Sequence, residues 1–194
     1  MYELPISVTV EGNLYHIRGN GDYRVVLDCF SALSDLEMDD ESERVLTALY
    51  IFYDVDAIED ILACDDVAKL VSEMYNFFNG GRPDSEEERH LPKVIDWDTD
   101  SAMIFSAVNA VAGKEVRVED YIHWWTFMGY YMAIGESTLS TVVSIRDKIV
   151  RGKNLEKWER KFKNDNPQYF IWNSKSVEEL EAEQLVLNMW NNKE

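Results

Sequence analysis

Residues 120–136, DYIHWWTFMGYYMAIGE, are an almost unbroken run of aromatic and aliphatic side chains, and no other stretch limits the fold so tightly. Fifteen residues lie between Asp120 and Glu136, fewer than the roughly 18–20 that span a bilayer, and His123 sits among them. A membrane span is therefore excluded here. A helix that is apolar on nearly every side has to be surrounded by other elements, which predicts a central packing helix in a helical lobe. Thr126, Gly129 and Ala133 recur at i, i+3 and i+7. They predict a strip of small residues against which a neighbouring helix closes, offsetting the roughly 1 kcal/mol that a mid-helix glycine costs relative to alanine. The indole N–H groups and His123 then need buried partners.

His123 as a general base would need an orienting carboxylate, for which Asp120 and Glu136 are the candidates. Asp120 lies only three residues away and better serves the helix N-terminus. The chain carries no serine or cysteine nucleophile motif, no paired-carboxylate motif, no Gly-rich phosphate loop and no HExxH. No catalytic, cofactor-binding or metal-binding residue is assigned, and the expectation is a protein that is not an enzyme.

The rest of the chain predicts a mainly α fold with a short N-terminal β-hairpin. ISVTV and LYHI alternate apolar and polar residues around an EGN turn. From Tyr23 onward the periodicity is helical, with Asp22 as the first N-cap. Val26, Cys29, Phe30 and Leu33 share one face; Val45, Leu49 and Phe52 share another. A short helix near 57–63 and a longer one through VAKLVSEMYNFF follow. Gly, Pro and a charge run at 79–95 mark an exposed linker or loop. This organises the chain as a hairpin plus acidic helical lobe at 1–78, the linker at 79–95, an aromatic-rich helical lobe at 96–166, and a helical tail at 167–194.

The second lobe opens on DWDTD, whose alternating aspartates suggest a calcium loop. An EF-hand needs glycine at its sixth position and glutamate at its twelfth, and Ser101 and Ala107 stand there instead. Asp96, Asp98 and Asp100 are better read as the cap and first-turn acids of SAMIFSAVNAVAG, a helix ending at Gly113. Gly135 suits a C-cap for the aromatic helix and Ser137 an N-cap for the next. In that next helix Leu139, Val142, Val143, Ile149 and Val150 form the buried stripe, while Arg146, Lys148 and Arg151 favour the C-terminal dipole. NLEKWERKF places Leu155, Trp158 and Phe162 on one face and pairs Glu156 with Arg160 and Glu159 with Lys163. Asn166-Pro167 stops it, and Ser176 with Glu179 opens a final helix through LVLNMW.

A net charge of −18, from 37 acids against 19 Lys and Arg, argues against nucleic-acid and anionic-lipid partners. The opening MYELPISVTV lacks the basic region and apolar core of a signal peptide. Cys29 and Cys64, each in an apolar helical setting, are expected to be buried, reduced thiols of a cytoplasmic protein.

DWDTDSAMIFSAVNAVAG, then DYIHWWTFMGYYMAIGES, then STVVSIRDKIVRGKNLEKWERKFKNDN together resemble the bacteriophage Gp-fifteen family of tailed phages and prophages of Gram-positive bacteria. The likeness is strongest over residues 94–166, with HWW, IRDK and LEKWE its most specific elements. It implies a gene in the tail morphogenesis region. From there follows the expectation of a tail assembly chaperone that keeps the tape-measure protein soluble in the cytoplasm of the infected or lysogenic host, absent from the mature virion and homo-oligomeric. The resemblance transfers no site residue. The chain's own charges offer a surface: residues 35–66 hold twelve acids and one cation, Arg44, whereas 146–163 hold eight basic residues and three acids. Lys153, Lys157, Arg160 and Lys161 cluster on one helical face and, with Leu187 and Trp190 of the terminal helix, are the candidate partner-binding residues. Two other roles are open: inhibition of a host DNA-binding protein by DNA mimicry, and a minor structural place in the tail.

Overall fold

A computed structural model describes residues 3–35, 37–38, 40–82 and 93–172. The terminal helix expected from Ser176, with Leu187 and Trp190, and most of the 79–95 linker lie outside the described residues. Strands β1 (Ser7–Val10) and β2 (Asn13–His16) pair antiparallel, Val10 opposite Asn13. Glu11 and Gly12 both take positive φ, the geometry that matches a two-residue hairpin to the twist of its strands. The helices are α1 (Tyr23–Ser34), α2 (Glu41–Phe52), α3 (Ile58–Leu62), α4 (Val67–Phe78), α5 (Ser101–Ala112), α6 (Trp124–Met132), α7 (Thr138–Val150) and α8 (Lys157–Asp165). The fold is mainly α with a short N-terminal hairpin. Among the described residues no helix is long and apolar enough to cross a membrane.

The chain forms two compact units: Met1–Asp84 with Val108–Ala133, and Ser85–Ala107 with Ile134–Glu194. In the first, Val26, Cys29, Leu49, Phe52, Leu70, Met74, Trp124 and Phe127 are buried. Tyr23 stacks on Phe127 with ring centroids 4.5 Å apart, and Phe30 meets Trp124 edge-on at 5.7 Å. Asp22 caps α1 as expected, accepting from the Arg24 amide at 2.9 Å, and also takes the Ile122 amide at 3.1 Å. Cys29 and Cys64 are both free and buried, and burial pushes the Cys29 thiol well above its usual range.

The aromatic run departs from its sequence reading in three ways. It is helical only over Trp124–Met132, because His123 is its N-cap and the chain before it is extended, bridging Asp22. It ends at Ala133, so Gly135 is not the C-cap. Its buried partners are α1 and α4, not the elements of a 96–166 lobe. The Trp124 and Trp125 indoles donate to the carbonyls of Phe78 and Phe77, each at 2.9 Å. Phe78 closes α4, so its carbonyl has no donor within the helix, while the Phe77 carbonyl also accepts from the Gly80 amide at 3.1 Å. The small strip is corrected as well: Thr126, Gly129 and Ala133 are exposed, and a Cβ on Gly129 would meet nothing within 4 Å.

Gly21 is where a glycine is required. Its φ is +79°, and a Cβ there would come within 2.8 Å of the Phe77 ring and 2.9 Å of His123 Nε2.

Candidate interaction surface

The second unit is organised around charge. Asp100 and Arg146 are both buried, with the Arg146 side chain fully so. Their guanidinium and carboxylate meet side by side, Nη1 to Oδ2 at 2.5 Å and Nη2 to Oδ1 at 2.9 Å. The remaining N–H groups of Arg146 donate to the Val94 carbonyl at 3.0 Å and to Tyr169 at 2.9 and 2.6 Å, and the guanidinium lies 4.7 Å from the centre of the Trp172 ring. One side chain thus ties α7 to the segment before α5 and to the 3-10 turn Pro167–Phe170. This corrects two expectations. Arg146 does not serve the α7 dipole from the surface, and Asp100 is an ion-pair partner. Asp96 is the local capping acid, accepting from the amides of Asp98 and Thr99 at 3.1 and 2.8 Å.

A second pair orients α8. Glu159 is buried and accepts from Lys148 of α7 at 2.6 Å, and its other oxygen takes the Glu156 amide at 2.8 Å. The Lys148 ammonium holds the Glu159 carboxyl below the usual carboxylate range. Glu159 therefore pairs with α7 and not with Lys163 one turn on; Lys148 sits in the last turn of α7 as expected and anchors α8 from there. With Glu159 pointing inward, α8 is turned so that Trp158 points outward. Its side chain is 55 % exposed, and its indole donates to Glu156 Oε2 at 2.9 Å. The carboxylate of Glu156 thus meets Trp158 where a pairing with Arg160 was expected. The expected shared face of Leu155, Trp158 and Phe162 gives way to half-buried Leu155 and Phe162 with Trp158 in solvent.

Lys153, Lys157, Arg160 and Lys161 are all exposed. Among the described residues no ion pair or side-chain hydrogen bond engages any of the four. Lys157, Arg160 and Lys161 share α8 with Trp158, the aromatic that helical spacing places on one face with Leu155 and Phe162; Lys161 lies one turn on from it, and Lys153 precedes the helix. The signal for the position of Trp158 was the acid following it: a glutamate between tryptophan and arginine that has a lysine of α7 to meet.

The acidic run at 35–66 has a partly local purpose. Asp40, Asp60 and Asp66 accept from the amides of Ser42, Ala57 and Lys69 at 2.8, 3.1 and 2.9 Å. Carboxylates fixed at helix starts in this way are spaced by the helices they serve and not by a phosphate ladder.

His123 is fully engaged in structure. Nδ1 accepts from the Trp125 amide at 3.1 Å, which leaves the proton on Nε2 to donate to the Pro5 carbonyl at 3.0 Å. Burial holds its pKa below the ordinary histidine value. Its partners are backbone groups, not Asp120 or Glu136.

Comparisons with curated proteins and with solved structures gave no significant match. A family model described as "Bacteriophage Gp15 protein" matches residues 1–168. With most of the chain covered from the hairpin through α8, the protein belongs to the bacteriophage Gp15 family.

Proposed function

We propose that this chain is a non-enzymatic tail assembly chaperone, which binds the tape-measure protein in the host cytoplasm and keeps it soluble while the tail is built. Membership of a bacteriophage family supports the coarser role, structural or assembly-related. The observation that supports the finer reading is α8: a short helix that holds a tryptophan in solvent and carries the exposed cations Lys157, Arg160 and Lys161, on a chain of net charge −18. Tryptophan and arginine are among the residue types enriched at binding surfaces. A long helical client calls for many such weak contacts and for no reactive group. The N-terminal acids, three of them committed to helix amides, favour this reading over DNA mimicry.

The test is affinity capture from cells that co-express the tagged chain and the tape-measure protein. The tape measure is expected to elute with the chain and to stay with it through size exclusion. Recovery of the chain alone contradicts the proposal. Mass spectrometry of purified particles separates a chaperone, expected to be absent, from a minor component of the tail.

A further inference from the structure

Two surfaces of opposite charge are open among the described residues. The first is a groove of 430 Å³ formed by α2, α3 and α4, lined by Val45, Leu46, Leu49, Leu62, Val67 and Val71, with Glu41 at its edge. Leu62 is 56 % exposed, so apolar wall stands in water. Glu59 lies one helical turn before Leu62, so with Glu41 the groove carries acids beside its apolar floor. The second surface is α8, where Trp158 is held out in solvent with exposed Lys161 one turn on and exposed Lys157 just before it.

We propose that the Trp158 indole of one copy seats in the α2–α4 groove of a second copy, with Lys157 and Lys161 meeting Glu41 and Glu59 at the rim. The occupant follows from complementarity. An apolar groove with an acidic edge is matched by an apolar knob with a basic edge, and Trp158 is the one exposed tryptophan among the described residues. The groove is open to solvent along one side, and tryptophan is among the side chains that most often dominate interface energies. The rim charges steer the encounter and fix the register more than they add affinity. The two faces differ, so the contact is heterologous. Each added copy leaves one groove and one helix free, and association runs on to a ring or a filament where a two-fold contact would stop at a dimer. The proposal stands on these surfaces and not on the tape-measure reading; a copy whose α8 is seated in a neighbour's groove presents that face to no client, so self-association and client binding compete for it.

Sedimentation velocity on the full chain tests it. The mass is expected to rise past a dimer with concentration and to fall back at high salt, where rim charges are screened. Trp158→Ala and Leu62→Glu should each weaken self-association by roughly 30-fold. The deciding sample mixes Leu62→Glu with Trp158→Ala/Lys161→Glu. Each is expected to be monomeric alone, yet together they form a one-to-one dimer, because one intact face of each kind remains. Thermal melts followed by circular dichroism confirm folding, and Glu41→Arg repeats the groove arm without touching apolar packing. A wild-type chain that stays monomeric at every concentration overturns the proposal. So does a mixture that remains monomeric, or variants that associate as tightly as wild type.

Discussion

The two units solve the problem of a core with different chemistry. The first packs rings: Tyr23, half-buried Phe30, Phe52, Phe77, Phe78, Trp124 and Phe127 are joined in edge-on, tilted and stacked contacts, and the Trp124 indole donates to a backbone carbonyl. The second buries charge, with Asp100–Arg146 and Lys148–Glu159 at the places where its elements meet. Ring packing gains free energy in proportion to the area removed from water and tolerates small misfits. A buried ion pair gains little over a well-packed apolar substitute, but loses much when one member goes, because the other is stranded. The first unit is thus held by burial and the second is specified by pairing.

Breaking one pair should therefore cost more than trimming one ring contact. Asp100→Asn keeps the shape but leaves a buried guanidinium without its counter-charge, and should cost about 3–5 kcal/mol in urea unfolding. Arg146→Met should not be neutral either, since the Val94 and Tyr169 carbonyls would lose their donors. A loss below about 1 kcal/mol for Asp100→Asn would erase the contrast between the units.

In the ring-packed unit, the vulnerable point is backbone rather than side chain. Gly21→Ala forces a Cβ into Phe77 and His123 at a left-handed φ, and about 2–4 kcal/mol of destabilisation is expected by the same measurement.

Acid should separate the units by the pH at which each responds. His123 has a folded pKa below its ordinary value, so the unfolded chain takes up the proton first. Its contribution is present above about 6.5 and declines as the pH falls below that value towards the folded pKa. Glu159 also has a lowered folded pKa, but here the charged form is the favoured one. Its contribution is present above about 4.3 and is lost as the pH drops through the depressed value. Melting temperatures followed from pH 7 to pH 3 should show two declines, the first removed by His123→Asn and the second by Glu159→Gln. A single decline untouched by either substitution would contradict the assignment.

The smallest effect has the opposite sign. Gly129 is helical, exposed and met by nothing, so Gly129→Ala should raise stability by about 0.5–1 kcal/mol in thermal unfolding. A loss there would mean that the glycine admits a close neighbour after all.

Local structure was legible in the sequence where a residue acts on its own neighbours. Asp22 and Ser137 cap the helices they precede, Gly113 and Gly152 take positive φ just past α5 and α7, and Pro167 ends α8. What was not legible is pairing at a distance. Arg146 reads as a dipole-facing cation until Asp100, 46 residues earlier, is brought beside it. Glu159 fits an i, i+4 pair with Lys163 until Lys148 claims it. The same ambiguity hid the surface: helical spacing puts Trp158 in line with Leu155 and Phe162, and only the inward turn of Glu159 shows which of the three is left in water. His123 was legible as a structural histidine but not as a cap, because the extended chain before Trp124 depends on Asp22 from the far end of the sequence.

The central claim is that the outward faces of this phage protein serve a client and not a reaction. It is tested most directly by the fraction of tape-measure protein that stays in the supernatant when expressed with and without this chain. The account predicts that the tape measure is largely insoluble alone and largely soluble with the chain present. Equal solubility in the two cases would contradict it.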